Sequence, residues 1–246
     1  MRTDTYKINY KCMKNTLIKI LKNIRLYNFV YGGTIYKLYA KYLNKKQRQQ
    51  LRKNGTTILK NLNLAFEELN IPYWLAFGTL LGAVREKNII VHDLDLDIAT
   101  WKHSHSGKIA ETLTKYGFAL KRTIKLEGDT GIEETYSYND VNIDIFYFEK
   151  ISDKLVKCHV FYIDKSLGYM ETINKYGGLF PLEVVLPFEG LSKYTFLGVQ
   201  VYIPDIYEKH LAFHYGEDYM IPNSNWDYTK APSSRRVQGL MGIVYE

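Results

Sequence analysis

Three aspartates recur at alternate positions in one short segment of the chain, as Asp93, Asp95 and Asp97. Successive side chains of a β-strand point to opposite faces, so this spacing in a strand places all three carboxylates on one face. Like charges this close repel one another, and a hard divalent cation commonly holds such an array together. The segment therefore predicts a metal site. Asp95 and Asp97 are its direct ligands, and Asp93 is either a third ligand or a group that supports them.

The alternative is a solvated edge strand, which carries charged side chains without binding a metal. The segment 89–91 reads Ile-Ile-Val, and Leu94, Leu96 and Ile98 alternate with the acids. This pattern predicts a central strand over residues 89–100. Unpaired carboxylates buried in such a strand would each cost several kcal/mol, which favours the metal site.

A fourth carboxylate, Asp144, stands inside the apolar run Ile143-Asp144-Ile145-Phe146. The residues alone leave two interpretations open. Asp144 is a hydrogen-bonded core aspartate, or it completes the shell of the cation or takes the proton from an attacking hydroxyl.

A glycine turn precedes the acids. Gly78 and Thr79 lie at a predicted strand-to-helix junction, where backbone N–H groups and a hydroxyl can bind a phosphate. Arg85, two turns further on, either binds a diphosphate as a fork of donors or pairs with a surface acid. Three exposed cations are further candidates for phosphate: Lys87, Lys121 and Arg122. Carboxylates for a metal beside a turn for phosphate predict phosphoryl or nucleotidyl transfer.

Two histidines follow the acid-bearing segment, and they allow a transition-metal site. His103 and His105 flank a serine in a loop-like stretch, so solvated side chains are the preferred interpretation.

The 246 residues, 46% of them hydrophobic, suffice for a core. Two cysteines cannot form a disulfide framework and indicate a reducing compartment. Lysines interrupt every apolar run near the N-terminus, so neither a signal peptide nor a membrane span is predicted there. The expected location is the cytoplasm, and peripheral contact of the protein with the inner face of the plasma membrane is a further option.

Charge divides the chain in two. Residues 1–60 hold 15 Lys/Arg and one acid, a net +14, whereas the remaining 18 Lys/Arg and 25 Asp/Glu give −7. The basic leader has three interpretations: a membrane-surface element, a helical cap on the catalytic domain or a nucleic-acid arm. The acidic body disfavours nucleic acid, and basic amphipathic helices suit anionic lipid.

Apolar residues at helical spacing predict two short basic helices in this leader, at 17–24 and 35–43, broken at Gly32-Gly33. A third helix, over 58–69, ends before Pro72. The later pattern alternates. Strands are predicted at 73–77, 118–126, 134–138, 141–148 and in pairs over 180–203, helices at 79–86, 105–116 and 207–215, and a loop from Pro222 onward.

At the two N-terminal motifs the chain resembles a known family. Phe-Gly-Thr-Leu-Leu-Gly-x-x-Arg over 77–85 and Asp-x-Asp-x-Asp over 93–97 are similar to the LicD family, which includes fukutin and fukutin-related protein. Segments 201–204 and 207–219 resemble its C-terminal half, so the resemblance covers about 55–230. It implies a nucleotidyltransferase-like α+β fold, a mixed sheet flanked by helices. It also implies Mg²⁺, or Mn²⁺ instead, held by Asp95, Asp97 and Asp144.

The chain departs from the family pattern at two positions, with His92 in place of a tryptophan and Leu94 where an acid is frequent. It also lacks a cysteine-rich zinc loop, which indicates a compact bacterial-type member. The predicted organisation is a basic helical extension over 1–46 and a catalytic domain over 47–246.

The resemblance implies transfer of phosphocholine or a polyol phosphate from a CDP-alcohol. The acceptor would be a sugar hydroxyl of a cell-surface oligosaccharide or glycolipid, with CMP released. Two alternatives stay open: transfer of a nucleoside monophosphate with release of pyrophosphate, and a non-catalytic scaffold for glycan assembly at a membrane.

Overall fold

The computed structural model describes residues 34–246, and the side chains of residues 38–246. It divides into two compact units between Gln47 and Arg48. One helix continues through this point, so a separate domain over 1–46 stays a prediction. The helix predicted at 17–24 and the break at Gly32-Gly33 lie outside the described residues.

The helices are α1 Thr34–Leu69, α2 Phe77–Arg85, α3 Gly107–Lys115, α4 Tyr169–Tyr176 and α5 Tyr207–Tyr215. The strands are β1 Tyr73–Leu75, β2 Asp95–Trp101, β3 Ala119–Lys125, β4 Ile132–Tyr138, β5 Val141–Ser152, β6 Leu155–Tyr162, β7 Phe180–Pro187, β8 Leu191–Phe196, β9 Val199–Pro204, β10 Ser234–Arg236 and β11 Ile243–Tyr245. The α+β prediction is confirmed. Within residues 34–246, no helix combines the length and the apolar character needed to cross a membrane.

Helix α1 joins two predicted helices into one of 36 residues. The prediction of separate helices over 35–43 and 58–69 was wrong, because nothing between them breaks a helix strongly. Gly55 lies in the interior, and a Cβ there would come within 3.1 Å of the side chains of Ile89 and Leu197. The helix ends where Asn70 adopts a left-handed conformation, φ 53°, shortly before Pro72.

The main sheet has nine strands, and β5 is its centre. The first half of β5 lies between β2, its parallel neighbour, and β4, its antiparallel neighbour, whereas its last residues pair with β6. The path continues from β4 through β3 to β11, and from β6 through β7 to β10. Strands β8 and β9 form a separate hairpin. The central position predicted for the acid-bearing strand is confirmed, because β2 pairs with both β1 and β5.

Strand β2 is shorter than predicted, beginning at Asp95 rather than at Ile89. Residues before it form a turn in which the Asp93 N–H donates to the Ile90 carbonyl at 3.1 Å. Ile89 and Ile90 are buried as loop residues. Their apolar character therefore reports core packing and not strand pairing, and Asp93 lies on a turn outside the strand.

The hairpin turns follow their sequence signals. Asn139 and Asp140 both have positive φ, 48° and 66°, in the two-residue turn between β4 and β5. Leu197 and Gly198 do the same between β8 and β9, with φ of 49° and 74°. The hairpin agrees with the separate strands predicted at 134–138 and 141–148, and the predicted β-pairs over 180–203 are confirmed.

Two elements had no prediction, β6 and α4, and two short strands lie in a segment predicted to be a loop. The prediction of a loop from Pro222 onward was wrong in part, because β10 pairs with β7 and β11 pairs with β3. Each has three residues, too few for an alternating pattern to show in the sequence, so pairing to the existing sheet must define them.

The two faces of β2 and β5 have different roles. Leu96, Ile98, Ile143 and Ile145 lie in the largest apolar cluster, together with Leu62 of α1. Because side chains alternate along a strand, Asp95, Asp97 and Asp144 must lie on the opposite face.

Candidate active site

Strands β2 and β5 bring two carboxylates side by side. Asp97 lies directly opposite Asp144 in the parallel register, and Asp95 lies opposite Asn142. One carboxylate oxygen from each of Asp95, Asp97 and Asp144 falls within 4.8 Å of the other two. Residues 47 positions apart in the chain therefore form one acidic cluster, because neighbouring strands place them at the same level of the sheet.

Asp93 stands beside this cluster without belonging to it. A Cβ built on Gly78 would lie 3.3 Å from Asp93 Oδ2 and 3.2 Å from Asp97 Oδ2. Both carboxylates thus approach the bare backbone of Gly78, at the start of α2. Only a glycine leaves them that room without a shift of the neighbours.

The first turn of α2 is tied to β2 through the backbone of Asp97. The Asp97 N–H donates to Thr79 Oγ1 at 2.7 Å, and the Ala76 N–H donates to the Asp97 carbonyl at 3.1 Å. Thr79 is buried, so its hydroxyl anchors the acid-bearing strand.

Phe77 begins α2 with a φ of 38°, a conformation that bulky residues rarely adopt. Its ring packs edge-on against Phe146 of β5, with centroids 4.7 Å apart. Such strain commonly persists where the surrounding packing fixes a functional segment.

Burial raises the pKa of every carboxyl in the cluster. The pKa of Asp95 rises to about 7, first through burial and then through the charges of Asp144 and Asp93. Burial and the Asp95 charge raise the pKa of Asp97 well above its usual value. Burial also raises the pKa of Asp144, opposed by a hydrogen bond from Thr135.

The donor set fits a hard divalent cation. Three carboxylates supply only oxygen ligands, which Mg²⁺ and Mn²⁺ prefer, and no sulfur or imidazole belongs to the cluster. A cation there would offset the repulsion that raises these pKa values.

The guanidinium group of Arg122, on β3, also reaches the acid face of the sheet. Arg122 Nε donates to Thr135 Oγ1 at 2.9 Å, and its terminal nitrogen lies 3.6 Å from Glu133 Oε1. Burial, and then the charge of Asp144, raises the pKa of Glu133 to about 8. The sequence had not singled out Glu133, although alternation along β4 places it on the acid face.

Lys121 has a different position from its neighbour. The register between β3 and β4 shifts between Leu120 and Arg122, which leaves Lys121 at a β-bulge. Its side chain is exposed, with Nζ 3.4 Å from Asn142 Oδ1. Lys121 does not line the cavity that contains the acids.

Two adjoining cavities meet at Gly78. The acid cavity, about 430 Å³, holds the acidic cluster together with Arg122, Glu133 and Tyr228. The Arg85 cavity, about 350 Å³, is lined by Arg85 and by apolar residues such as Leu81 and Ile221. Four residues line both: Gly78, Asp93, Tyr215 and Trp226.

Arg85 pairs with a neighbouring acid, which is one of the two alternatives predicted for it, and also contacts a backbone carbonyl. Its Nε lies 3.0 Å from Glu86 Oε1, and a terminal nitrogen donates to the Tyr219 carbonyl at 3.2 Å. The side chain is only 10% exposed, so it is fixed in the cavity wall. Lys87, in contrast, donates to the Tyr194 hydroxyl at 2.9 Å, away from both cavities.

A buried histidine completes the wall of the acid cavity. His214 of α5 lies against the Phe77 ring, with centroids 5.3 Å apart, and its Nδ1 is 2.5 Å from Ser233 Oγ. Burial lowers its pKa to about 3, and lowers that of His210 to about 4. Both are therefore neutral at physiological pH. No spacing in the sequence had marked His214.

The prediction that His105 is solvated was wrong. His105 Nε2 lies 3.3 Å from Glu134 Oε1, and its ring packs edge-on against Tyr147. Glu134 also accepts from the hydroxyls of Tyr136 and Tyr147. This network lies on the sheet face opposite the acids, because Glu133 and Glu134 are consecutive strand residues.

Comparison with known proteins bears on this arrangement. The family model described as "LicD/FKTN/FKRP, nucleotidyltransferase domain" matches residues 70–205, more than half of the chain. The chain belongs to this family. The match includes α2, β2 and β5, so all residues of the acidic cluster lie within the LicD nucleotidyltransferase domain, and the resemblance seen in the sequence is confirmed.

Curated relatives include animal and bacterial proteins. "Ribitol-5-phosphate transferase FKTN" of Homo sapiens is 24% identical over 207 residues, which cover 83% of this chain and 42% of that protein. The Macaca fascicularis protein of the same name gives the same figures. "Uncharacterized protein RP689" of Rickettsia prowazekii is 26% identical over 206 residues, 77% of this chain and 69% of that protein. The chain thus spans less than half the length of the FKTN relatives.

Proposed function

We propose that this protein transfers a phospho-alcohol from a CDP-activated donor to a sugar hydroxyl of a glycan, with CMP as the leaving group. The observation that carries the proposal is the cluster of Asp95, Asp97 and Asp144 facing the backbone of Gly78 in one cavity. Carboxylates for a cation and an open backbone for a phosphate are the parts that phosphoryl transfer needs.

The relatives point to the class of alcohol. The FKTN relatives are named ribitol-5-phosphate transferases, so a polyol phosphate is the first candidate, and phosphocholine is the second. The acceptor would be an oligosaccharide or a glycolipid. Membership in the family and the names of these relatives support a transferase over a non-catalytic scaffold.

Asp95 and Asp97 would hold Mg²⁺ or Mn²⁺, and Asp144 would complete the ligand set or accept the proton of the attacking hydroxyl. The bound cation would neutralise charge that develops on the leaving phosphate. Asp93 would contribute from the Gly78 side, as a further ligand or as support for Asp97. These roles rest on the distances within the cluster and on its oxygen-only donors.

The phosphates would be oriented by groups around the cluster. The N–H groups of Gly78 and Thr79 belong to the first turn of α2, where helix N–H groups have no partner within the helix and attract anions. Arg85 and Arg122 supply positive charge from the walls of the two cavities. Lys121 would act from the rim, because its exposed side chain reaches only Asn142.

Product analysis tests the proposal. Purified protein is incubated with an acceptor glycan and each of four donors, CDP-ribitol, CDP-glycerol, CDP-choline and CDP-ethanolamine, with Mg²⁺ or with a chelator. Metal-dependent release of CMP with transfer to the glycan supports it. Release of pyrophosphate from a nucleoside triphosphate would identify a nucleotidyltransferase instead. Absence of turnover with every donor would favour the non-catalytic scaffold for glycan assembly.

Two variants separate chemistry from folding. Asp97→Ala removes a central carboxylate and should abolish turnover. Asp140→Asn is the matched control, because this exposed turn residue lines neither cavity and keeps its left-handed conformation as asparagine. Near-normal turnover by D97A with every donor would refute the proposal.

A peripheral membrane contact through residues 1–46 is a separate part of the proposal. Within this segment, α1 exposes Leu38, Tyr39, Tyr42 and Leu43, and the same stretch carries Lys41, Lys45 and Lys46. An apolar stripe beside lysines suits an anionic lipid surface.

A further inference from the structure

Four polar side chains form a straight row across four neighbouring strands. Arg122 of β3 lies opposite Thr135 of β4, Thr135 lies opposite Asp144 of β5, and Asp144 lies opposite Asp97 of β2. The bulge before Arg122 places it, and not Lys121, in register with Thr135.

The hydrogen bonds along this row have a fixed direction. A guanidinium has donors only, so Arg122 Nε donates to Thr135 Oγ1, at 2.9 Å. A threonine hydroxyl has one proton, and with a lone pair already engaged it donates that proton to Asp144 Oδ1, at 2.5 Å. The bond from Thr135 to Asp144 is thus directed by Arg122.

This bond occupies one oxygen of Asp144 and fixes the plane of the carboxylate. The other oxygen remains for a ligand in the acid cavity. Arg122 is itself held, because its terminal nitrogen lies near Glu133 and its guanidinium packs over the Tyr169 ring at 5.6 Å. Arg122 therefore orients the Thr135 hydroxyl, and the Thr135 hydroxyl orients the Asp144 carboxylate.

We propose that Thr135, directed by Arg122, is a positioning residue that fixes Asp144 in the geometry needed to bind the cation. The inference rests on the proposed function for its role in turnover, but the geometric part concerns only this chain's residues and a divalent cation. Loss of a hydrogen-bonded partner behind a metal ligand typically costs about 10–100-fold in metal affinity or activity.

The test compares three threonine variants. Thr135→Val keeps the shape and removes the hydroxyl, Thr135→Ser restores the hydroxyl, and Thr123→Val is the matched control. Thr123 is also a buried threonine, on β3 opposite Glu134 and therefore on the other face of the sheet. Mn²⁺ affinity is measured by calorimetry, folding by thermal unfolding, and the position of Asp144 by a crystal structure of T135V.

The expected result is Mn²⁺ binding weakened about 10–100-fold in T135V, within about threefold of wild type in T135S and T123V. The Asp144 carboxylate should rotate away from Asp97 in T135V. Arg122→Met should weaken binding in the same direction, and the losses of the two single variants should be less than additive in R122M/T135V, because Arg122 acts on Asp144 in part through Thr135.

Wild-type affinity in T135V with an unmoved Asp144, or equal losses in T135V and T123V, would overturn the positioning role. If T135V does not unfold cooperatively, R122M against T135S decides the question by the same affinities. Failure of the proposed function looks different. Wild-type protein would then release no CMP from any donor, while the affinities and the Asp144 rotamer still test the row.

Discussion

Asp97 and Asp144 lie directly opposite each other on the parallel strands β2 and β5, with their carboxylates on the face away from the main core. The ladder between the two strands holds the backbones of these residues side by side, so the two carboxylates can separate only by rotation of a side chain. Their repulsion is therefore built into the sheet. Four consequences of this arrangement and of its surroundings can be measured, and a fifth concerns the leader.

The first prediction concerns stability without metal. Asp97→Asn removes one charge from a cluster in which burial and neighbouring acids raise the pKa of each member. We expect D97N to be more stable than wild type in chelator, by about 2–4 °C in Tm if about 1 kcal/mol of repulsion is relieved. We also expect it to lose the stabilisation that saturating Mg²⁺ gives the wild type.

Thermal unfolding with and without Mg²⁺ measures both effects, and D140N serves as the control with wild-type behaviour. A D97N protein that Mg²⁺ still stabilises as strongly as wild type would contradict the assignment of Asp97 as a ligand.

The second prediction concerns pH. The pKa of Asp95 rises from 3.8 to about 7 in the folded protein, so the folded state holds this proton more tightly than the unfolded chain. Metal-free stability from this group is therefore present below about pH 4 and is lost as the pH rises towards about 7. Cation binding competes with the proton, so the gain in Tm from Mg²⁺ should increase from pH 5 to pH 8.

Unfolding scans across this pH range, in chelator and in Mg²⁺, give the two curves. In D95N the metal-free curve should be flatter than that of the wild type. A Mg²⁺ effect independent of pH would count against cation binding at these carboxylates.

Much of this site follows from sequence, because strand alternation and an in-register neighbour are local rules. The spacing of the aspartates placed Asp95 and Asp97 on one face, and an acid in an apolar run marked Asp144. The sequence did not predict which side chains would act on these carboxylates. The bulge that brings Arg122 into register depends on the β3–β4 pairing, and His214 reaches the cavity only because α5 packs there. Asp93 was placed on the strand because buried Ile89 and Ile90 resemble strand residues.

The third prediction uses the close approach at Gly78. In Gly78→Ala the new Cβ would lie 3.2 Å from Asp97 Oδ2 and 3.3 Å from Asp93 Oδ2, so the carboxylates or the first turn of α2 must shift. Because small displacements at a reacting centre are costly, we expect at least about a tenfold loss of kcat.

Gly107→Ala is the matched control, since a Cβ on this helical glycine meets nothing within 4 Å. It should leave turnover unchanged and leave stability equal or slightly higher. Equal turnover of G78A and G107A in the CMP-release assay would mean that the backbone of Gly78 does not contact the reacting groups.

The fourth prediction concerns the buried histidines. Burial lowers the pKa of His214 to about 3 and that of His210 to about 4, from 6.5. The unfolded chain therefore gains protons before the folded protein does, so the stability these groups contribute is present above about pH 6.5 and is lost as the pH falls towards 4.

His214→Asn keeps a side chain able to bond Ser233 but does not titrate in this range. We expect H214N to be less stable than wild type at pH 7.5, by about 1–3 kcal/mol for the lost ring packing, with a smaller difference at pH 5. Urea unfolding at the two pH values measures it. If the two proteins differ equally in free energy of unfolding at both pH values, His214 takes up no proton on unfolding in this range.

The fifth prediction concerns the lysines of the first unit. Leu38 and Tyr42 are 61% and 63% exposed and lie one turn apart on α1, with Lys41, Lys45 and Lys46 in the same stretch. Binding of this stretch to an anionic bilayer would combine apolar insertion with about 1 kcal/mol per lysine near the surface. Replacing the three lysines by glutamate should therefore abolish sedimentation with phosphatidylserine vesicles and leave CMP release from the donor, measured with a water-soluble acceptor, unchanged. A matched triple variant of Lys108, Lys150 and Lys154, which lie on the second unit, separates this local effect from net charge.

If both triple variants lose vesicle binding equally, total charge governs association and the stretch on α1 has no special role. If neither does, these lysines of α1 do not bind the membrane, and vesicle binding that survives deletion of residues 1–46 would refute the contact proposed for that segment.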